Sequence, residues 1–200
     1  SETVNTTLTM SQFIDYISSL RKENSVLLGL HIQRGDACND PRRIRKCFAV
    51  SDYISAILHM KMAYNITAIY LATDEASVVE ELNQALAGTY IFTQQVRREM
   101  FYSGNHTTYN LENIPAKMGK LEPESSSAMN FSALFDWLAL RESDAFIGTF
   151  TSDFGRIAFE LISSRMNSVP PYVSLEETYC KPRKPRNGFQ ISGRVVYTCY

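Results

Sequence analysis

"SVLLGLHIQRGDACND", Ser25 to Asp40, decides how this chain is read. Its first half, Val26-Leu27-Leu28-Gly29-Leu30, is apolar at every position. A strand of that kind is buried on both faces, the condition of a parallel sheet covered by helices. Its second half crowds His31, Gln33, Arg34 and Asp36 together at the strand's tip. An imidazole, a guanidinium and a carboxylate at the end of a buried strand need partners, or a ligand.

Working outward, the same pattern recurs. Ser11 to Leu20 has helical spacing through Phe13, Ile14, Ile17 and Leu20, with Ser11 as its N-cap. Ser51 to Tyr64 is helical through Ile54, Ile57, Leu58 and Met62. "ITAIYLATD" (Ile66 to Asp74) is a second apolar strand, and Asp74 or Thr73 can cap the helix "EASVVEELNQAL" that follows. "TYIFT" (Thr89 to Thr93), "DAFIGTF" (Asp144 to Phe150) and "PPYVSL" (Pro170 to Leu175) read as further strands. "FSALFDWLALRE" (Phe131 to Glu142) and "SDFGRIAFELISSR" (Ser152 to Arg165) read as helices. Strand and helix alternate, so the expected fold is α/β: a Rossmann-like parallel sheet with helices on both faces. Residues 1–200 form one domain on this reading, with a core over about 25–180. Gln94 to Asn130 lacks periodicity and reads as a functional or disordered loop. The tail after Tyr179 reads as irregular surface followed by a strand, "FQISGRVVYT".

Composition narrows the function. Hydrophobic residues at 44% support a sizeable core. A net charge of −1 argues against a general nucleic-acid surface. No apolar run approaches the roughly twenty residues of a membrane span. The chain opens without Met or a signal-like segment, and reads as part of something longer. Four Asn-x-Ser/Thr triplets begin at Asn5, Asn65, Asn105 and Asn130. The four cysteines fall into local pairs, Cys38 with Cys47 and Cys180 with Cys199, although three pairings are open. Together these point to the secretory pathway. Four buried thiols in a reducing compartment are the competing account.

In open α/β sheets ligands bind beyond the carboxyl ends of the strands. Three clusters sit there: His31 to Asp36, Thr73-Asp74-Glu75, and Thr149 to Asp153. At the third, Thr151, Ser152 and Asp153 open a helix whose free N–H groups and dipole favour an anion, with Arg156 one turn in. Ordinary N-capping by Thr151 or Ser152 explains the same residues without a ligand. Arg34 suits a phosphate, or an ion pair with Asp36 or Asp74. His31 suits a base, a ring contact or a satisfied core position. The basic run "PRRIRKC" is a diphosphate attractor or a solvated face. No P-loop, Gly-x-Gly-x-x-Gly or Gly-x-Ser-x-Gly is present, and the three histidines are scattered in a way that disfavours zinc.

"HIQRGD", "IYLATDE" and "FIGTFTSDFGRIAFEL", in this order, resemble the three motifs of the α1,6-fucosyltransferase group, within the wider α1,6-/α1,2-/protein O-fucosyltransferase superfamily. "SLEETYC" extends the resemblance, which covers His31 to Tyr179. It implies the C-terminal, donor-binding half of a GT-B-type glycosyltransferase, with the acceptor-binding half preceding residue 1. It implies transfer of fucose from GDP-fucose to a glycan or glycoprotein hydroxyl, an N-glycan core being the expected acceptor, with inversion and no metal or other cofactor. It implies the Golgi lumen or secretory pathway, an N-terminal anchor on the full-length protein, and no nucleic-acid partner. By position, His31 and Asp136 would read guanine, Asp136 accepting from the ring N–H and the exocyclic amine. Thr151 and Ser152 would contact phosphate. Asp36, Asp74, Asp153 and Arg156 would shape or line the donor site.

Two departures accompany the resemblance. The family has an arginine on the β-phosphate where this chain has Gln33; Arg34 matches a second arginine of the α1,6 branch. That branch also has a lysine and a catalytic glutamate where this chain has Ala37 and Pro41, which leaves Asp40 as the candidate base beside Arg34 as the candidate catalytic cation. The departures keep a second expectation open, a catalytically impaired relative that binds a GDP-sugar or recognises glycans. A different sugar nucleotide on the same fold is a third.

Overall fold

A computed structural model of the chain describes residues 5–23, 25–35, 38, 46–94, 102–103, 107–108, 123–176 and 179. The elements run β1 (Asn5–Leu8), α1 (Met10–Lys22), β2 (Val26–Ile32), α2 (Val50–Tyr64), β3 (Ile66–Thr73), α3 (Ala76–Ala85), β4 (Tyr90–Gln94), β5 (Tyr102–Ser103), β6 (Thr107–Thr108), α4 (Pro123–Arg141), β7 (Ala145–Gly148), α5 (Asp153–Met166) and β8 (Tyr172–Ser174).

Six strands form one sheet in the order β1-β4-β3-β2-β7-β8, and every pairing in it is parallel. The short β5 and β6 pair antiparallel with each other. From β2 the chain steps outward through β3 and β4 on one side, then returns to lay β7 and β8 on the other. The carboxyl ends of β2 and β7 therefore flank a topological switch point, where connections leave in opposite directions and open a crevice.

Alternation along the strands fills two cores. Leu28, Leu30 and Ile32 join Ile69, Leu71, Ile91 and Ile147 beneath α2 and α3, in a mostly aliphatic layer. Leu27, Tyr70, Phe92 and Phe146 face the other way, into an aromatic layer with Phe13 of α1, Ala139 and Leu140 of α4, and Phe159 and Ile162 of α5. Each fully buried large side chain contributes about 1.5–3 kcal/mol of transfer free energy. Gly29 is needed in β2 because α4 ends against it. A Cβ there would meet Ser143 Oγ at 2.7 Å and Leu140 Cδ2 at 3.1 Å.

The sheet reaches back to Asn5, ahead of the core expected from residue 25. Among the described residues, "NTTL" is an edge strand, paired on one side with β4. Thr9 rather than Ser11 starts α1: Thr9 N donates to Gln12 Oε1 at 2.9 Å and Gln12 N to Thr9 Oγ1 at 3.4 Å, a capping box. Part of the aperiodic stretch is helical, since α4 begins at Pro123. Cys38 and Cys47 form a disulfide. Cys180, Cys199 and "FQISGRVVYT" lie outside the described residues.

Candidate functional site

The crevice at the switch point is lined from three separate sequence segments. His31 occupies the penultimate position of β2 and is 6% exposed. Its ring stacks on Phe154, in the first turn of α5, at 4.6 Å and 28°. Phe154 stacks in turn on Trp137 of α4 at 5.1 Å and 26°. Trp137 Nε1 donates to Phe154 O at 3.2 Å, which fixes the indole against the turn. The result is a three-ring stack across the carboxyl edge, each ring supplied by a different element. Gly155 permits it: a Cβ there would lie 2.6 Å from Thr149 O and 3.3 Å from His31 Nδ1.

Gln33 and Ser152 connect the two strand ends. Ser152 Oγ donates to Gln33 Oε1 at 3.0 Å across the switch point. Ser152 is also the N-cap residue of α5, yet it makes no side-chain cap bond. Thr151 precedes the N-cap residue, and its hydroxyl donates to Glu176 Oε2. Ordinary N-capping is thus not what these hydroxyls do. Asp153 follows, exposed, as the first residue of α5, where a carboxylate complements the dipole. Arg156 donates from Nη1 to Phe150 O at 3.4 Å and lies over the Tyr179 ring at 5.0 Å.

Arg34 leaves the strand on the opposite face. Its Nε lies 3.7 Å from Glu75 Oε2 and its Nη1 3.5 Å from Glu81 Oε1, which pairs it with the α3 side of the rim. Asp74 does not cap α3. Its carboxylate accepts from Arg34 N at 3.0 Å and Gly35 N at 3.0 Å, which holds the exit of β2 against that of β3. This side of the rim is acidic. Burial pushes the Tyr53 phenol above its ordinary value, and Glu176, Asp74 and Asp52 add to the rise while Arg34 opposes it.

Asp136 lies in α4, 8% exposed, and accepts from the Tyr70 hydroxyl at 2.5 Å. A carboxylate offers about four lone-pair sites, and Tyr70 takes one of them. One turn earlier, Gln94 Nε2 donates to Ser132 Oγ at 2.8 Å and tethers α4 to the end of β4. Asp36 and Asp40 lie outside the described residues. Among the described residues, no group of three or more His, Cys, Asp and Glu is arranged to hold a metal ion, and no helix is long and apolar enough to cross a membrane.

The structure therefore brings together His31, Gln33, Ser152 and the α5 N-terminus. It separates Arg34, which faces Glu75 and Glu81. Phe154, Trp137 and Glu176 went unnoticed in the sequence. The adjacency of Phe154 to Ser152-Asp153, and of Trp137 to Asp136, was the available signal.

No family model matches this sequence, and neither does any curated protein. Among solved structures, POFUT1 in complex with GDP-fucose is similar, with a TM-score of 0.46 and 11% identity over 83% of this chain and 46% of that one. POFUT1 in complex with GDP is similar with a TM-score of 0.47 and 10% identity, over 84% of this chain and 48% of that one. The chain spans less than half the length of the solved structures it matches.

Proposed function

We propose that this chain is the donor-nucleotide half of a GDP-fucose-dependent glycosyltransferase of the secretory pathway. The observation that carries the reading is convergence: His31 and Gln33, Trp137, and Ser152 and Phe154 come from three separate segments and meet at one switch-point crevice. The crevice offers a ring stack beside a carboxylate, suited to a purine, and next to it a helix N-terminus with no hydroxyl cap, suited to a diphosphate. In the proposed reaction the bond from fucose C1 to the β-phosphate oxygen breaks. A glycosidic bond forms from the opposite face, with inversion. Asp40 takes the acceptor hydroxyl's proton, and the charge on departing GDP falls to the α5 N-terminus, Thr151 and Ser152, with Arg34 joining them only by turning away from Glu75 and Glu81. No metal is required in this scheme. The acceptor is a glycan or glycoprotein, an N-glycan core on the motif resemblance.

One observation favours a second reading, a GDP-sugar binder with impaired turnover. The neutral Gln33 faces the crevice while Arg34 is held by Glu75 and Glu81. Calorimetric titration of the folded protein with GDP tests what both readings share. Binding is expected, with a change in emission from Trp137, the chain's single tryptophan. Absence of binding by folded protein refutes both readings. Asp136→Asn, which keeps an acceptor for Tyr70, is expected to weaken GDP, and unchanged affinity removes the guanine assignment. Fucose transfer by the full-length protein, before and after Gln33→Arg, separates the two. A silent wild type restored by the substitution selects the impaired binder.

A further inference from the structure

We propose that Asn65 carries an N-linked glycan on the edge of the sheet opposite the crevice. The sequence offers four Asn-x-Ser/Thr triplets, and the structure separates two of them. Asn130 and Ser132 lie two apart within α4, so they project from the helix about 200° from each other. Ser132 is 6% exposed and receives the Gln94 amide, so its hydroxyl is committed to the core. At Asn65 the backbone has left α2. Asn65 is exposed in a left-handed conformation at φ 50°, Ile66 turns inward at 4% exposure, and Thr67 is the one exposed position of β3. Amide and hydroxyl are both on the surface of a helix-to-strand turn.

Helix capping explains part of this. Asn167 ends α5 in the same left-handed conformation, at φ 51°, with Val169 two residues on. Asparagine at Asn65 is thus a good C-cap, but the cap does not call for a hydroxyl at Thr67, whose bond to Val26 O is long at 3.3 Å. The co-substrate is a lipid-pyrophosphate-linked oligosaccharide. The Asn65 amide nitrogen forms a bond to sugar C1, the C1–O bond to pyrophosphate breaks, the lipid pyrophosphate leaves, and the amide loses one proton to a base. The eight residues of β3 put roughly 25 Å between this turn and the carboxyl edge, so the glycan clears the crevice.

The inference rests on the compartment in the functional reading and not on the nucleotide. The Cys38–Cys47 disulfide serves as an internal marker of that compartment. The test is peptide mass spectrometry on the full protein isolated from the cells that make it, digested without reduction and treated with peptide N-glycosidase. Asn65 is expected to be converted to aspartate by the enzyme, in molecules that hold the disulfide. Thr67→Ala, which leaves the cap residue in place, is expected to abolish the modification. Unmodified Asn65 in disulfide-bonded molecules overturns the proposal, as does a Thr67→Ala protein that keeps its glycan. Molecules with neither mark overturn it as well, by placing the chain outside the compartment. GDP titration of the same material reports separately on the nucleotide reading.

Discussion

Gly155→Ala is the substitution on which the geometry of the crevice stakes most, because its sign is diagnostic. In an exposed helix, Gly→Ala stabilises by about 0.5–1 kcal/mol, since glycine has more backbone freedom to lose. At Gly155 the new Cβ would lie 2.6 Å from the carbonyl oxygen of Thr149, where ordinary contact needs 3.4 Å or more, a shortfall of about 0.8 Å. The obstructing atom is backbone at the end of β7, so no rotamer relieves it. Either α5 or the β7 end must retreat. Overpacking of this kind costs about 1–3 kcal/mol. Set against the propensity gain, a net destabilisation of up to about 2.5 kcal/mol is expected, read as a lowered urea midpoint at unchanged slope. Ser164→Ala, at an exposed position of the same helix, is the control and should stay within about 0.5 kcal/mol of wild type. The retreat also carries Phe154 away from His31, so GDP affinity should fall further than stability. A Gly155→Ala protein as stable as wild type, or more so, refutes the close approach of α5 to β7 and with it the described stack.

Asp74→Ala removes the acceptor for both Arg34 N and Gly35 N and is expected to cost about 2–3 kcal/mol in urea unfolding, with Asp74→Asn intermediate; an unchanged midpoint in Asp74→Ala contradicts the clamp. The Tyr179 phenol is pushed up from 10.0 to about 12 by partial burial and by its bond to Glu160. A phenol whose folded value exceeds its unfolded one contributes stability that is present below pH 10 and lost as pH rises toward 12. Tyr179→Phe should flatten that part of the stability profile measured between pH 9 and 12, and an unaltered profile counts against the Glu160 contact.

How far the fold was legible follows from where tertiary forces agree with local pattern. β2, β3 and β7 are buried on both faces, so their sequences are apolar throughout and unmistakable. α2, α3 and α5 carry their periodicity because one side of each meets the sheet. β1 was illegible because the four residues "NTTL" carry no apolar pattern, and its pairing with β4 is a long-range fact. The first turns of α4, "PESSSAMN", read as loop for the same reason: serine is a poor helix former, and nothing local announces the helix. At the site, strand-end logic pointed to His31, Gln33, Asp74 and Ser152, because position along a strand is readable, whereas Asp136, inside a helix, came only from the motif resemblance. Which face a side chain takes after the strand ends is not. That is why the sequence left the direction of Arg34 open and passed over Phe154 and Trp137.

The consequence lies in the one-residue offset between Gln33 and Arg34. His31 and Gln33 take the face of α4 and α5, through Phe154 and Ser152. Ile32 and Arg34 take the face of α2 and α3, through the aliphatic core and Glu75. Period-two alternation thus carries past the end of β2, and moving an arginine by one residue moves its charge to the other side of the sheet. Arg34 is no substitute for the arginine that the motif resemblance expects at position 33. On the proposed reading, the crevice gives a departing diphosphate the uncapped α5 terminus, and the Ser152 hydroxyl only once it leaves Gln33 Oε1. A helix terminus is worth about 0.3–1 kcal/mol, reaching about 2 when partly buried, against about 1.5–3 for a hydrogen bond to a charged group. On that reading, the site is therefore better furnished to hold a nucleotide than to drive its departure. Turnover on the proposed reading depends on whether Arg34 exchanges Glu75 and Glu81 for phosphate; the two ion pairs are long, at 3.7 and 3.5 Å, and among the described residues the buried Arg34 Nε has no hydrogen-bond partner.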